Sequence, residues 1–324
     1  MQRRARAVLT ILVLGLAACH GGPVGSLTST DAAATDFSQT DAPADGSVSP
    51  DASTLLDPAS AGPSTVSTFD DTFVLQKWNG TCHVTVYVPS LVPVGGSPVV
   101  VFLHGRATSK DWYRWVGKHL ASWQYVVVMV QLPDPTSLYG DEWPDAITGA
   151  LDYIDAHAQM AALQNLDRSR IAVAGHSQGA SAASAVAERD ARVKAAVLLS
   201  PCGGSPSLVP TQIQVGSLDG ICQPEKARSL YDSLMGHRQL LEFSGGNHIG
   251  FLDVGDAYAA AQVFVKADGK ATMPHDDQLR LARTYLTSWL NVVLRDQQAY
   301  RFYLDGDGAT ADQKAEWVTN SIDW

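Results

Sequence analysis

The chain has 324 residues, 45% of them hydrophobic, and a formal charge of −10. That length and apolar content suffice for one α/β domain with a large core, and the acidic balance argues against nucleic acid as a partner. The first residues supply three of the positive charges and the next fifty six of the negative ones, which leaves about −7 on the remainder.

Met1-Gln2-Arg3-Arg4-Ala5-Arg6 is a basic start, Ala7 to Leu16 is a short apolar run, and Leu16-Ala17-Ala18-Cys19 follows. Residues 1–18 read as a secretory signal. The last four residues resemble a bacterial lipobox, which implies cleavage before Cys19 and lipidation of that cysteine. A plain signal peptide with a chance cysteine is the alternative. Arg3-Arg4 hints at twin-arginine export, but the residues after the pair fit that signal poorly. The apolar run is too short to cross a bilayer, whereas acyl chains on Cys19 would hold the protein to a membrane surface. His20 stands where an aspartate would signal inner-membrane retention, so the resemblance favours the outer membrane or cell surface, with the anchor as the only membrane contact. Residues 19–68 are rich in Ser, Thr, Ala, Asp, Pro and Gly. Such a segment cannot bury enough surface to offset its ordering entropy. It reads as a tether with a span of roughly 35–40 Å.

From residue 69 the spacing predicts strands at Phe73–Trp78, Cys82–Val88, Pro98–Leu103, Tyr125–Val130, Arg170–Ala174, Ala195–Leu199, Thr211–Val215 and Gln239–Phe243. Helices are expected near Asp111–Ser122, Pro144–Met160, Ser177–Glu188, Pro224–Met235 and Asp276–Leu294. The first two strands lack a helix between them and should start the sheet antiparallel. The later alternation predicts a mostly parallel eight-stranded sheet with helices on both faces. In the last helix Leu279, Ala282, Tyr285, Leu286, Trp289, Leu290 and Val293 keep a helical period, as core residues do. Asp305-Gly306-Asp307-Gly308 lacks the positions of a calcium loop and reads as a turn.

The most informative stretch is Gly175-His176-Ser177-Gln178-Gly179, between an apolar β-branched run and a small-residue helix. This is G-x-S-x-G in a strand–turn–helix context, the nucleophile elbow. Asp219 lies just past the strand at Thr211–Val215, and His248 follows the strand at Gln239–Phe243. Serine, acid and histidine thus each follow a strand end, in the chain order that the elbow implies. A serine hydroxyl needs a base, so His248 would take the Ser177 proton and Asp219 would orient the imidazole. Asp253 is a competing acid, but it comes after the histidine. His237 and His275 look like surface residues, and His104 and His176 like structural ones. Backbone N–H groups of Gln178 and Arg106 are the candidate oxyanion donors. No metal-ligand spacing is apparent, and the triad chemistry needs no cofactor.

On these residues the chain resembles the dienelactone-hydrolase, chlorophyllase and cutinase-like polyester-hydrolase branch of the α/β-hydrolases. The likeness runs from Val84 to Phe251 and is densest from Ile171 to His248. It implies an α/β-hydrolase fold without a large lid domain, and a serine carboxylic-ester hydrolase working through an acyl-enzyme on small or polymeric esters, as a monomer. Relatives in that branch carry an aromatic residue where this chain has Arg106 and a tryptophan where it has Cys202. Gln178 and Ala180 also depart from the commoner methionine and glycine. Arg106 suggests attraction for an acidic ester, against the plainer reading of a solvated arginine. Alternatives on the same fold are a serine peptidase or acyltransferase; from another class, a non-catalytic surface binding protein.

Four cysteines fit an exported protein. With Cys19 lipidated, Cys202 and Cys222 lie after consecutive strands beside the site, and a disulfide there would brace the Asp219 loop, nominally by ~3 kcal/mol. A bridge from Cys82 to either remains open. Trp112, Tyr113, Trp115, Tyr139 and Trp143 are candidates for an acyl pocket or for core packing.

Overall fold

The computed structural model describes residues 55–138, 140–253 and 268–324. The signal segment, Cys19, most of the tether and Tyr139 lie outside the described residues.

Period-two alternation builds the centre of the sheet. All of Ser97–Leu103 is buried. Val99, Val101 and Leu103 face one apolar layer, and Val100 and Phe102 face the other. A strand buried on both faces needs helices on both sides. Nine strands are described: β1 Val66–Leu75, β2 Gly80–Pro89, β3 Ser97–Leu103, β4 Val126–Gln131, β5 Leu166–His176, β6 Val193–Leu199, β7 Thr211–Gly216, β8 Arg238–Phe243 and β9 Val318–Asp323. Their order is β1-β2-β4-β3-β5-β6-β7-β8-β9. The pairs from β4 to β8 are parallel; β1, β2 and β9 join antiparallel.

Seven helices are described: α1 Arg114–Ser122, α2 Glu142–Ala156, α3 Gln178–Arg189, α4 Pro224–Ser233, α5 His275–Arg295, and the short α6 Arg301–Leu304 and α7 Asp307–Lys314. Buried residues of α2, α3 and α4 join the Val99 layer, and those of α1 and α5 join the Phe102 layer. This is the α/β-hydrolase fold, with the strand ends after β3, β5, β6, β7 and β8 on one edge of the sheet.

Three expectations need correction. The sheet has nine strands rather than eight, because Val318–Asp323 pairs antiparallel with β8. The first strand is Val66–Leu75, and Gln76–Trp78 is a short 3-10 turn. Part of the expected tether belongs to the domain: Trp123 Nε1 donates to Ser60 O at 3.0 Å, and Ser64 N donates to Ser122 O at 3.0 Å. Those backbone groups find partners on the end of α1, which offsets the cost of ordering them. Of the turn expected at Asp305–Gly308, only Asp305 and Gly306 lie between α6 and α7, while Asp307 and Gly308 open α7; the Arg301 guanidinium and Trp324 Nε1 both donate to the Asp305 carboxylate.

The turn from β5 into α3 explains its glycines. A Cβ on Gly179 would sit 2.2 Å from Leu103 O and 2.4 Å from His104 O, and one on Gly175 would sit 2.4 Å from the Gly179 carbonyl carbon. The start of α3 therefore rests directly on the end of β3, with no room for a methyl group. Gly179→Ala is expected to lower folding stability by about 1–3 kcal/mol, measured as a shift of the urea midpoint at constant m-value.

Candidate active site

Ser177 stands at the elbow with φ 55° and ψ −119°. Such a backbone costs about 1–3 kcal/mol for a residue with a Cβ and persists only where its surroundings over-determine it. Here Ser177 N donates to Leu199 O at 2.9 Å, and Ser177 O accepts from Ser181 N at 3.1 Å. The nucleophile candidate is thus clamped between the end of β6 and the first turn of α3.

His248 and Asp219 meet behind it. His248 Nδ1 donates to Asp219 Oδ2 at 2.8 Å, and both side chains are buried. The other carboxylate oxygen accepts from Ile221 N at 2.9 Å and Cys222 N at 2.7 Å. Because an ionised carboxylate only accepts, this bond places a proton on Nδ1, and in the neutral ring the Nε2 lone pair is then the acceptor. Ser177, His248, Arg106, Gln178 and Cys202 line one cleft of about 380 Å³. Asp219 lies behind His248 rather than in the lining. Asp253 is engaged elsewhere: its oxygens accept from Arg114 N at 2.8 Å and Trp115 N at 3.1 Å, capping α1.

Backbone accounting singles out two N–H groups at the cleft. Gly105 N donates to Tyr113 Oη at 3.3 Å and Ala107 N to Pro135 O at 2.7 Å. The Arg106 N–H between them has no acceptor among the described residues. Gln178, first in α3, has its N–H outside the helical ladder.

Two buried histidines, His176 and His104, hold the loops of this arrangement, and a third, His119, joins α1 to α5. His176 Nε2 donates to His248 O at 3.0 Å, so its Nδ1 accepts from Tyr113 Oη at 2.8 Å. Leu132 N donates to His104 Nε2 at 3.1 Å, and His104 Nδ1 donates to Gly105 O at 2.7 Å. His119 Nε2 bonds the Thr287 hydroxyl at 2.8 Å. Burial keeps all three neutral. It lowers His104 to about 4 and His119 to about 3, and it holds His176 well below the usual range.

Cys202 and Cys222 form a disulfide with Cα atoms 4.6 Å apart, joining the loops after β6 and β7. Its sulfurs lie 3.9 and 3.8 Å from Ser177 Oγ. Cys82 is a buried free thiol, pushed up to about 12 mainly by burial. Of the aromatic candidates, Trp112 lines the cleft, while Tyr113, Trp115 and Trp143 are buried in the core. His237 is exposed, as expected of a surface residue, but His275 is half-buried and bonds Leu252 O at 2.9 Å.

Asp268 is the site residue that sequence reasoning misses. Oδ1 accepts from Gly220 N at 3.1 Å and His248 N at 3.2 Å, and Oδ2 accepts from Ile249 N at 3.1 Å. One carboxylate thereby ties the Asp219 turn to the His248 loop. No motif marks it: it lies 20 residues beyond His248, and only the backbone N–H groups it meets give it meaning.

Two outcomes follow from this geometry. Asp268→Ala strips three N–H groups of their acceptor and is expected to cost about 1–3 kcal/mol of stability in urea unfolding. The neutral histidines bind protons in the unfolded chain below about pH 6.5 but not in the fold until nearer pH 4 for His104 and pH 3 for His119. Their contribution is complete above pH 6.5 and is lost as pH falls, by up to about 1.4 kcal/mol per pH unit for each. Unfolding free energies measured at pH 7.5 and pH 5 check the sign.

Comparison with known proteins agrees with this architecture. Residues 39–316 match the family model described as PET hydrolase-like. Cutinase 2 of Thermobifida cellulosilytica is 30% identical over 171 residues, 51% of this chain and 64% of that protein. Cutinase cut1 of Thermobifida fusca is 30% identical over 171 residues, 51% of this chain and 53% of that protein. Cutinase est2 of Thermobifida alba is 28% identical over 171 residues, 51% of this chain and 56% of that protein. The matched region thus spans less than two thirds of each of these relatives. With most of its length covered by the family model, the chain belongs to the PET hydrolase-like family.

Proposed function

We propose that the chain is a serine carboxylic-ester hydrolase. The observation that carries this reading is the 2.8 Å bond from His248 Nδ1 to Asp219, which leaves Nε2 free in the cleft that Ser177 shares. In the reaction Ser177 Oγ attacks the ester carbonyl while His248 Nε2 takes its proton. The imidazolium that forms is stabilised by Asp219, which accepts the Nδ1–H hydrogen bond without becoming protonated. The tetrahedral oxyanion is received by the N–H groups of Arg106 and Gln178, which find no acceptor among the described residues. Donors held in place beforehand cost no reorganisation as charge develops. His248 then protonates the leaving alcohol, and water repeats the sequence on the acyl-enzyme.

The substrate class follows more coarsely. Arg106 and Cys202 stand where the resembling branch carries two aromatic residues, so an aromatic clamp is not part of this reading. Small esters and the exposed ester bonds of a polymer both fit a surface cleft, and the similarity to proteins named as cutinases supports the second. A fluorophosphonate probe is expected to label the protein, with labelling abolished in Ser177→Ala. Hydrolysis of p-nitrophenyl esters should fall by at least about a thousandfold in the same variant. A folded wild-type protein that resists the probe would sink the hydrolase reading in favour of a binding protein on this scaffold.

A further inference from the structure

Arg106 is the only charged side chain, histidine aside, among the residues lining the cleft. It is exposed and forms no ion pair with any acid among the described residues. No aspartate or glutamate lines the same cleft. The same cleft is also lined by Trp112, Ile221, Ile249 and Leu252, which are apolar. The N-terminus of the twelve-residue helix α3 opens at the same place, with Ser177 as its cap, and adds partial positive charge. Arg106 thus places an unpaired cation at the cleft, with the Asp219 and Asp268 carboxylates held behind His248 rather than in the lining.

Resting on the hydrolase reading above, we propose that this site selects esters whose acyl part carries a second, free carboxylate: half-esters of dicarboxylic acids, with Arg106 as the residue that recognises the anion. A guanidinium is always charged, and a neutral substrate that covered it would remove its water without replacing the hydrogen bonds. A carboxylate replaces them with two parallel N–H···O bonds. The position of Arg106 sets which part of the substrate this is. Its backbone N–H addresses the scissile carbonyl oxygen, so the group met by its own side chain is joined to that carbonyl through a short chain. The apolar residues of the lining suit the methylenes between the two carboxyl groups.

The test compares two p-nitrophenyl esters of adipic acid, one with the far carboxyl free and one with it methyl-capped. Wild-type kcat/KM is expected to favour the free acid by about tenfold or more at low salt, with the preference shrinking as ionic strength rises. In Arg106→Gln the ratio should collapse towards one, whatever happens to either rate alone. Arg106→Lys should retain part of it, because the charge survives and the fork does not. A wild-type ratio at or below one, or a ratio unchanged in Arg106→Gln, overturns the proposal while leaving the hydrolase reading intact. Failure to turn over either ester, with no fluorophosphonate labelling of Ser177, overturns both.

Discussion

A single neutral imidazole ties the working loops together. His176 precedes Ser177 in the chain, donates to the backbone of His248, and accepts from Tyr113 Oη, which in turn receives Gly105 N from the loop after β3. Three strand ends are thereby set against one another by one ring and one phenol. The arrangement works only while the ring is neutral with its proton on Nε2, because a proton on Nδ1 would point at Tyr113 and remove the acceptor. Burial supplies that condition by making the charged form expensive. The strained Ser177 backbone, the His248 orientation and the unpaired Arg106 N–H all rest on distances that this ring maintains.

Around that centre the molecule uses two kinds of attachment. Some contacts are pure steric fit, such as Gly179 on the backbone of β3. Others are polar ties between loops that would otherwise drift. Asp268 bridges the acid turn and the histidine loop, Asn247 and Gln278 exchange bonds at 3.1 and 2.8 Å, and the disulfide spans the loops after β6 and β7. A buried amide ladder stiffens the sheet behind the site. Gln214 donates to Gln212, Gln212 to Gln239, and Gln239 to Asn320 on β9. Each of these three glutamines donates through its amide nitrogen, though Gln214 Oε1 is buried without a partner.

The parallel core and the candidate triad residues are legible because their signals are local. β3 to β7 carry β-branched residues and β8 the pair Leu240-Leu241, and the elbow is five consecutive residues. What escaped the sequence depends on partners distant along the chain. β9 reads Val-Thr-Asn-Ser-Ile-Asp, too polar to announce a strand, and becomes one by pairing with β8. Residues 55–65 share the composition of the tether, yet their backbone groups find acceptors and donors around Ser122 and Trp123. Asp253 was weighed as a catalytic acid and proved to be a helix cap contributed from 138 residues away. Asp268 and the glutamine ladder have no sequence signature, because each is defined by the atoms it meets across the fold.

The edge position of β1 carries a consequence of another kind. Among the described residues its outer side has no strand partner, and such an edge is the surface along which two sheets can join into larger aggregates. Asp70 and Asp71 stand at its midpoint. The Tyr153 hydroxyl donates to Asp71, holding its carboxyl below the usual range, so it stays charged into acid. A second copy approaching in centred antiparallel register would bring carboxylate against carboxylate, a pairing that like charge disfavours. The strand that opens the sheet is thus also the one that guards it, and colloidal behaviour at neutral pH is written into two adjacent aspartates.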